Sequence, residues 1–229
     1  MKHTIIKDVF FDLDHTLWDF DKNSELTFET IFNRNHPTIE TKEFIEKYVP
    51  INQACWKLYQ YDKITHEELR YNRLKHSFDA IDYTISDEQI ESIAQEYIQL
   101  LPENNHLFDG AFEVLDYLNQ KYKLHIITNG FAEVQYKKLT NSNIGSYFQT
   151  ITNSEMAGVK KPNPIIFEYA LDLAKAKKES SIMIGDCLEA DVQGALDAGL
   201  DAIFFNGNDV QVEQNIKQVN HLLELKKYL

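Results

Sequence analysis

Short apolar runs rich in β-branched and aromatic residues alternate with helix-period stretches through the second half of this chain, and that alternation restricts its fold more than any other feature. The runs are Ile5 to Phe11, Leu124 to Thr128, Thr150 to Thr152, Ser181 to Ile184 and Ala202 to Phe205. Turn signals bound each of them, so they read as buried strands. Between the last four lie helical patterns. Ala111 to Lys121 puts Phe112, Leu115 and Leu118 on one face, and Phe131 to Thr140 forms a second helix. Pro164 to Lys175 starts with Asn163 as N-cap and a proline at the first helical position. Asp191 to Ala198 is short and stops at Gly199, a residue suited to ending a helix.

Strand and helix taken in turn imply an α/β fold with a doubly wound parallel (Rossmann-like) sheet. The interval between the first and second strands breaks the pattern. From about Leu17 to Leu107 the chain reads as helix after helix. Thr65 with Glu68, and Ser86 with Gln89, have capping-box spacing. Ile90, Ile93, Ala94, Tyr97 and Leu101 form one apolar stripe, and Phe44, Tyr48, Trp56 and Tyr59 another. Pro50 inside the second stripe is expected to kink or split its helix. A parallel crossover needs only about a dozen residues and a helix. The excess is read as an inserted helical domain, giving a catalytic core of residues 1–16 plus 108–229 and a helical insert of 17–107.

A formal charge of −13 argues against a nucleic-acid polymer or an anionic membrane as partner, while leaving room for a local positive pocket. No apolar run has the length of a membrane span, and the first residues lack a signal-peptide pattern. A cytoplasmic protein is expected. The two cysteines, Cys55 and Cys187, are far apart in sequence and are read as unpaired small side chains rather than as a disulfide or a nucleophile.

Ligands of open parallel sheets gather beyond the carboxyl ends of the strands. The first strand runs into Asp12-Leu13-Asp14-His15-Thr16, the second ends at Thr128-Asn129-Gly130, and the fourth ends at Gly185-Asp186 with Asp191 soon after. Lys160-Lys161-Pro162 precedes a helix after the third. Carboxylates crowded in this way repel one another unless a cation joins them. All-oxygen ligation suits Mg²⁺, and a lysine with a threonine hydroxyl suits a phosphoryl group. Phosphoryl transfer on a small phosphorylated metabolite accounts for this set of groups.

At these residues the sequence resembles the haloacid dehalogenase superfamily. Asp12 through Thr16 is similar to its first motif, Thr128 to its second, Lys161 to its third, and Gly185-Asp186 through Asp191 to its fourth. The strings Ser154 to Pro162 and Asp191 to Gly199 are similar as well, and the helical insert lies where one class of the family carries a cap. The resemblance implies Asp12 as nucleophile, Asp14 as general acid and base, and Thr128 with the Asn129 backbone as phosphoryl-binding groups. It assigns Lys161 to charge balance beside Asp12. Mg²⁺ would be held by Asp12, the backbone carbonyl of Asp14, and Asp186, with Asp191 orienting that shell. Members that cleave carbon–halogen bonds lack the second aspartate, so Asp14 points to phosphate esters.

The string Leu17-Trp18-Asp19-Phe20 with Asn23-Ser24 is similar to bacterial pyrimidine 5'-nucleotidases, which implies a nucleoside monophosphate as substrate. A phosphatase or phosphomutase for a sugar phosphate or phosphoglycolate stays open, as does a receiver-like phospho-aspartate signalling domain. His15 is read as a flanking structural residue. Trp18, Asp19 and Phe20 are divided between hinge packing and substrate contact, and Arg70 and Arg73 are expected to face water. The sequence gives no reading of oligomeric state.

Overall fold

The computed structural model describes residues 5–212 and 216–229. The described residues fall into two compact units, those up to Asp19 together with those from His106 onward, and Phe20–Asn105.

The larger unit is built on a six-stranded parallel sheet. Its strands are β1 (Asp8–Phe11), β2 (Lys123–Thr128), β3 (Phe148–Asn153), β4 (Ser181–Gly185), β5 (Asp201–Phe205) and β6 (Gln218–Val219). The spatial order is β3-β2-β1-β4-β5-β6. All four residues of β1 are buried, because β2 and β4 pair with it on either side and helices cover the faces. Phe10, Ile127, Met183 and Phe204 pack with Ile166, Phe167 and Ala170 of α8 (Pro164–Ala174) into one core. The order turns back between β1 and β4, and a sheet of this kind opens a crevice at such a reversal, beyond the carboxyl ends.

All five expected strands are present, with small shifts at their ends. β3 extends to six residues, and its mixed burial follows from its place at the edge of the sheet. β6 was not anticipated: two residues carry no readable period. The helix of Ala111–Asn119, α5, turns Ala111, Val114, Leu115 and Leu118 inward, while Phe112 is exposed. The first turn therefore faces the core through Ala111 and Val114 rather than through the larger ring. α6 spans Ala132–Asn141 and α7 spans Ser154–Ala157. Asn163 caps α8 as expected, its Oδ1 accepting from Ile165 N at 3.0 Å. The last expected helix is instead a wide π-helical turn, Leu188–Gln193, leading into α9 (Gly194–Ala198), which ends at Gly199 in the left-handed region.

The smaller unit contains α1 (Phe20–Asn35), α2 (Thr41–Gln60), α3 (His66–Ala80) and α4 (Asp87–Leu100). α1 packs on α2 and α4, and α3 packs on the same two. Both capping boxes form: Thr65 and Ser86 each accept from the backbone three residues on, and Glu68 and Gln89 reach back. α2 runs through Pro50 as one helix, so of the kink or split expected there the split does not occur. At the centre, the Phe28 ring lies 4.7 Å from Tyr48 and Tyr97 and 4.9 Å from Phe44, centroid to centroid. Arg73 also departs from expectation. It is 4% exposed, donates to Asn52 Oδ1 at 3.3 Å, and stands 5.0 Å from the Tyr97 centroid. Leu69, Arg73 and Ser77 recur every four residues on the inward stripe of α3, so the helix carries the guanidinium inside. Arg70, off that stripe, is half-buried.

The segments joining the helices to the sheet run side by side, with Asp19 N donating to His106 O and Phe108 N to Leu17 O, both at 3.0 Å. Among the described residues no helix is long and apolar enough to cross a membrane.

Truncating Phe28 to alanine removes the ring shared by four aromatic neighbours and is expected to destabilise the helical unit by about 3–5 kcal/mol. Urea unfolding followed by near-ultraviolet circular dichroism measures it, and a loss below about 1 kcal/mol would contradict this packing.

Candidate active site

The chain leaves β1 through a tight loop. Asp12 N still donates to Ile184 O at 2.9 Å, so the residue continues the β1–β4 ladder and its position is fixed by the sheet. Leu13 O then accepts from both Leu17 N and Trp18 N, and His15 takes a positive φ of 62° to close the turn. Asp12 is buried at 7% exposure, while Asp14, two residues on, points elsewhere.

Lys161 enters from the loop before α8. Its Nζ donates to Asp12 Oδ1 at 2.5 Å, Asp191 Oδ1 at 2.6 Å and Ile127 O at 2.8 Å. Burial works against the ammonium, but the charges of Asp12 and Asp191 outweigh it and hold Lys161 above the usual lysine range. The side chain of Asn129 fixes this loop by clasping the Lys161 backbone, accepting from its N at 2.7 Å and donating to its O at 3.0 Å.

Asp191 stands in the π-helical turn. Its Oδ1 takes Lys161, and its Oδ2 accepts from Cys187 N at 3.0 Å. The last residue of β4 is glycine for reasons of space: a Cβ on Gly185 would lie 2.3 Å from Asp191 Oδ2. Asp186 receives the Thr16 hydroxyl at 3.1 Å. The Cys187 thiol caps the turn by accepting from Ala190 N at 3.4 Å, and it forms no disulfide with Cys55. Burial and the charge of Asp191 push that thiol up to about 11, so it is neutral near pH 7.

Asp12, Asp186 and Asp191 each bring a carboxylate oxygen within 4.8 Å of the other two. Burial raises Asp12 well above the carboxylate range, with Asp191 and Asp186 adding to the shift and Lys161 opposing it. Asp186 is desolvated by its surroundings and repelled by Asp191, and is pushed up from 3.8 to about 7. One buried ammonium does not satisfy three acids. Hard oxygen donors with surplus negative charge fit a divalent cation such as Mg²⁺. The Asp14 side chain lies outside this trio, which leaves its backbone carbonyl as the atom to offer an ion.

Thr128, at the end of β2, is buried, and its Oγ1 accepts from Gly130 N at 3.0 Å. Two residues absent from the sequence reading complete the surroundings. Gln135 Nε2 donates to Asp14 Oδ2 at 2.9 Å and to Thr128 Oγ1 at 2.7 Å. Lys138 Nζ donates to Asp14 Oδ1 at 2.6 Å and lies 4.2 Å from the Trp18 ring centroid. Both are almost wholly buried. Their spacing on α6, with Val134 and Leu139 on the same inward side, was the available signal; polar residues on a buried helical stripe are held there by a partner.

An α/β sheet that reverses between β1 and β4, with acids, an ammonium and a hydroxyl gathered beyond the strand ends, is the architecture of a hydrolase of the doubly wound class. The chain belongs to the haloacid dehalogenase-like hydrolases, whose family pattern matches residues 9–205. It is 31% identical over 221 residues to the HAD-hydrolase YfnB of Bacillus subtilis (strain 168), covering 96% of this chain and 91% of that protein. A crystal structure of YfnB bound to magnesium aligns with a TM-score of 0.87 at 30% identity, over 98% of this chain and 99% of that one. The chain is also 31% identical to the pyrimidine 5'-nucleotidase PynA of Streptococcus pneumoniae, over 90% of this chain and 86% of the relative. It is 30% identical to the pyrimidine 5'-nucleotidase YjjG of Escherichia coli (strain K12), over 96% of each.

The raised pKa of Asp186 gives a pH dependence with a definite sign. Between about pH 4 and 7 the folded, metal-free protein keeps a proton there that the unfolded chain has released. Its contribution to stability is full below about pH 4 and is lost as pH rises through 7. A cation replaces the proton, so MgCl₂ should raise Tm more at pH 8 than at pH 5. Equal shifts at the two pH values, by differential scanning fluorimetry against an EDTA control, would contradict this.

Proposed function

We propose that the chain is a Mg²⁺-dependent phosphomonoester hydrolase that works through an aspartyl-phosphate on Asp12. Its proposed substrate is a pyrimidine nucleoside monophosphate, which makes it a cytoplasmic 5'-nucleotidase. The observation that carries the reading is the buried Lys161 ammonium between Asp12 and Asp191, beside Asp186. The ammonium opposes the rise that burial and the neighbouring acids impose on Asp12, and together with a bound cation would keep the nucleophilic carboxylate ionised in a site that also receives an anionic ester.

In the first half-reaction an oxygen of Asp12 attacks phosphorus. The bond from phosphorus to the ester oxygen breaks, and that oxygen takes the proton of Asp14. In the second, the Asp14 carboxylate takes a proton from water, whose oxygen attacks phosphorus and releases Asp12 and inorganic phosphate. The Thr128 hydroxyl and the Asn129 backbone hold phosphoryl oxygens, and Lys161 offsets charge around Asp12. Asp12, the Asp14 carbonyl and Asp186 would hold the ion, and Asp191 would orient Lys161 and that shell. When bound, Mg²⁺ supplies positive charge that lets an anionic carboxylate approach an anionic phosphate. The helical insert, residues 17–107, is assigned as the cap that selects the substrate. The two pyrimidine 5'-nucleotidases among the relatives favour a nucleotide over a sugar phosphate or phosphoglycolate.

Phosphate release from UMP, dUMP, dTMP, phosphoglycolate and glucose phosphates, with Mg²⁺ and with EDTA, tests the proposal. The pyrimidine nucleotides should give the highest kcat/KM, and EDTA should abolish turnover. Asp12→Asn should lower kcat by about a thousandfold or more. Preference for a non-nucleotide would overturn the nucleotidase assignment alone; undiminished activity of Asp12→Asn would overturn the covalent mechanism.

A further inference from the structure

The donors on α6 meet two of the reacting groups at once. Asp14 carries Lys138 on Oδ1 at 2.6 Å and Gln135 on Oδ2 at 2.9 Å, so both carboxylate oxygens are fixed from the same helix. Gln135 also donates to Thr128 Oγ1 at 2.7 Å, and Gly130 N donates to the same oxygen at 3.0 Å. A hydroxyl oxygen accepts two hydrogen bonds and donates one. With both acceptor positions taken, the Thr128 proton must point away from Gln135 and Gly130. The orientation of the Gln135 amide is set by its neighbours, since a flipped amide would turn Oε1 against the Asp14 carboxylate. Oε1 has no partner among the described residues, leaving Nε2 to supply both bonds.

The surroundings keep this arrangement in place. A Cβ on Gly130 would lie 2.1 Å from Gln135 Nε2, so a larger residue there would push the amide out of this position. Lys138 rests on the Trp18 ring at 4.2 Å, and Ser142 Oγ and N bind its carbonyl one turn on.

We propose that Gln135 and Lys138 are positioning residues for the two proton-handling groups of phosphoryl transfer. Lys138 and Gln135 hold the Asp14 carboxylate where it gives its proton to the leaving oxygen and later takes one from water. Gln135 in addition makes Thr128 a pure donor to a phosphoryl oxygen. This rests on the phosphohydrolase reading above, and it assigns different kinetic signatures to the two side chains. Loss of Lys138 disturbs proton delivery, which matters when an alkoxide departs and little when a stabilised phenolate does. Loss of Gln135 disturbs phosphoryl binding too, which every ester shares.

The test compares UMP with p-nitrophenyl phosphate in the Mg²⁺-loaded full chain. Lys138→Met should lower kcat for UMP about 10- to 100-fold and for p-nitrophenyl phosphate several-fold less, and Lys138→Arg should recover part of the loss. Gln135→Met should lower kcat/KM for both esters and combine less than additively with Thr128→Val, since part of its effect passes through that hydroxyl. Circular dichroism and Tm establish that each variant is folded. Equal losses on the two esters for Lys138→Met, or full additivity of Gln135→Met with Thr128→Val, overturn the inference and leave the phosphatase reading standing. A wild-type chain inert toward every monoester overturns both. If Lys138→Met does not fold, Lys138→Arg decides: a larger loss on UMP than on p-nitrophenyl phosphate supports the inference, and equal losses on both overturn it.

Discussion

The Lys161 ammonium, held out of water between two carboxylates and a main-chain carbonyl, is the interaction on which the rest of the site depends. Removing an ion from water costs several kcal/mol, and only close opposite charge with full hydrogen bonding offsets that. Lys161 has both, through Asp12, Asp191 and Ile127 O. Each partner comes from a different element. β1 delivers Asp12, the turn after β4 delivers Asp191, β2 delivers the carbonyl, and Asn129 clasps the lysine's own backbone. Pulling the lysine away would leave three acids facing one another.

That arrangement explains features which otherwise seem unrelated. Gly185 is small because Asp191 occupies its Cβ position. The chain after β4 opens into a π-helical turn, placing Asp191 so that one oxygen meets Lys161 and the other meets Cys187 N. The sheet order makes β1, β2 and β4 neighbours at the reversal point, so the strand ends that carry residues 12, 128 and 186 lie side by side although the chain separates them widely. The order also separates this fold from signalling receivers, where the doubly wound sheet follows a different strand sequence.

Much of this was legible in the sequence because local rules and global fold agree. Buried parallel strands announce themselves as apolar runs, and their polar ends stand out for the same reason. The capping boxes at Thr65 and Ser86 and the cap at Asn163 formed as their spacing implies. What escaped notice was decided by tertiary contact. β6 is two residues long and is defined only by pairing with β5. Pro50 did not divide α2, because packing overrides a local preference. Arg73 lies inside because the inward stripe of α3 carries it there against Tyr97 and Asn52. Gln135 and Lys138 looked like ordinary polar residues of an amphipathic helix, and only the coordinates reveal that they face Asp14.

The cysteine beside the acids carries a consequence of its own. Oxidants and alkylating reagents attack the thiolate, and burial with the charge of Asp191 keeps Cys187 protonated up to about pH 11. A sulfur atom one residue from Asp186 is thereby made chemically quiet. The same charges that draw a cation into the site thus keep the neighbouring thiol in its protonated, less nucleophilic form.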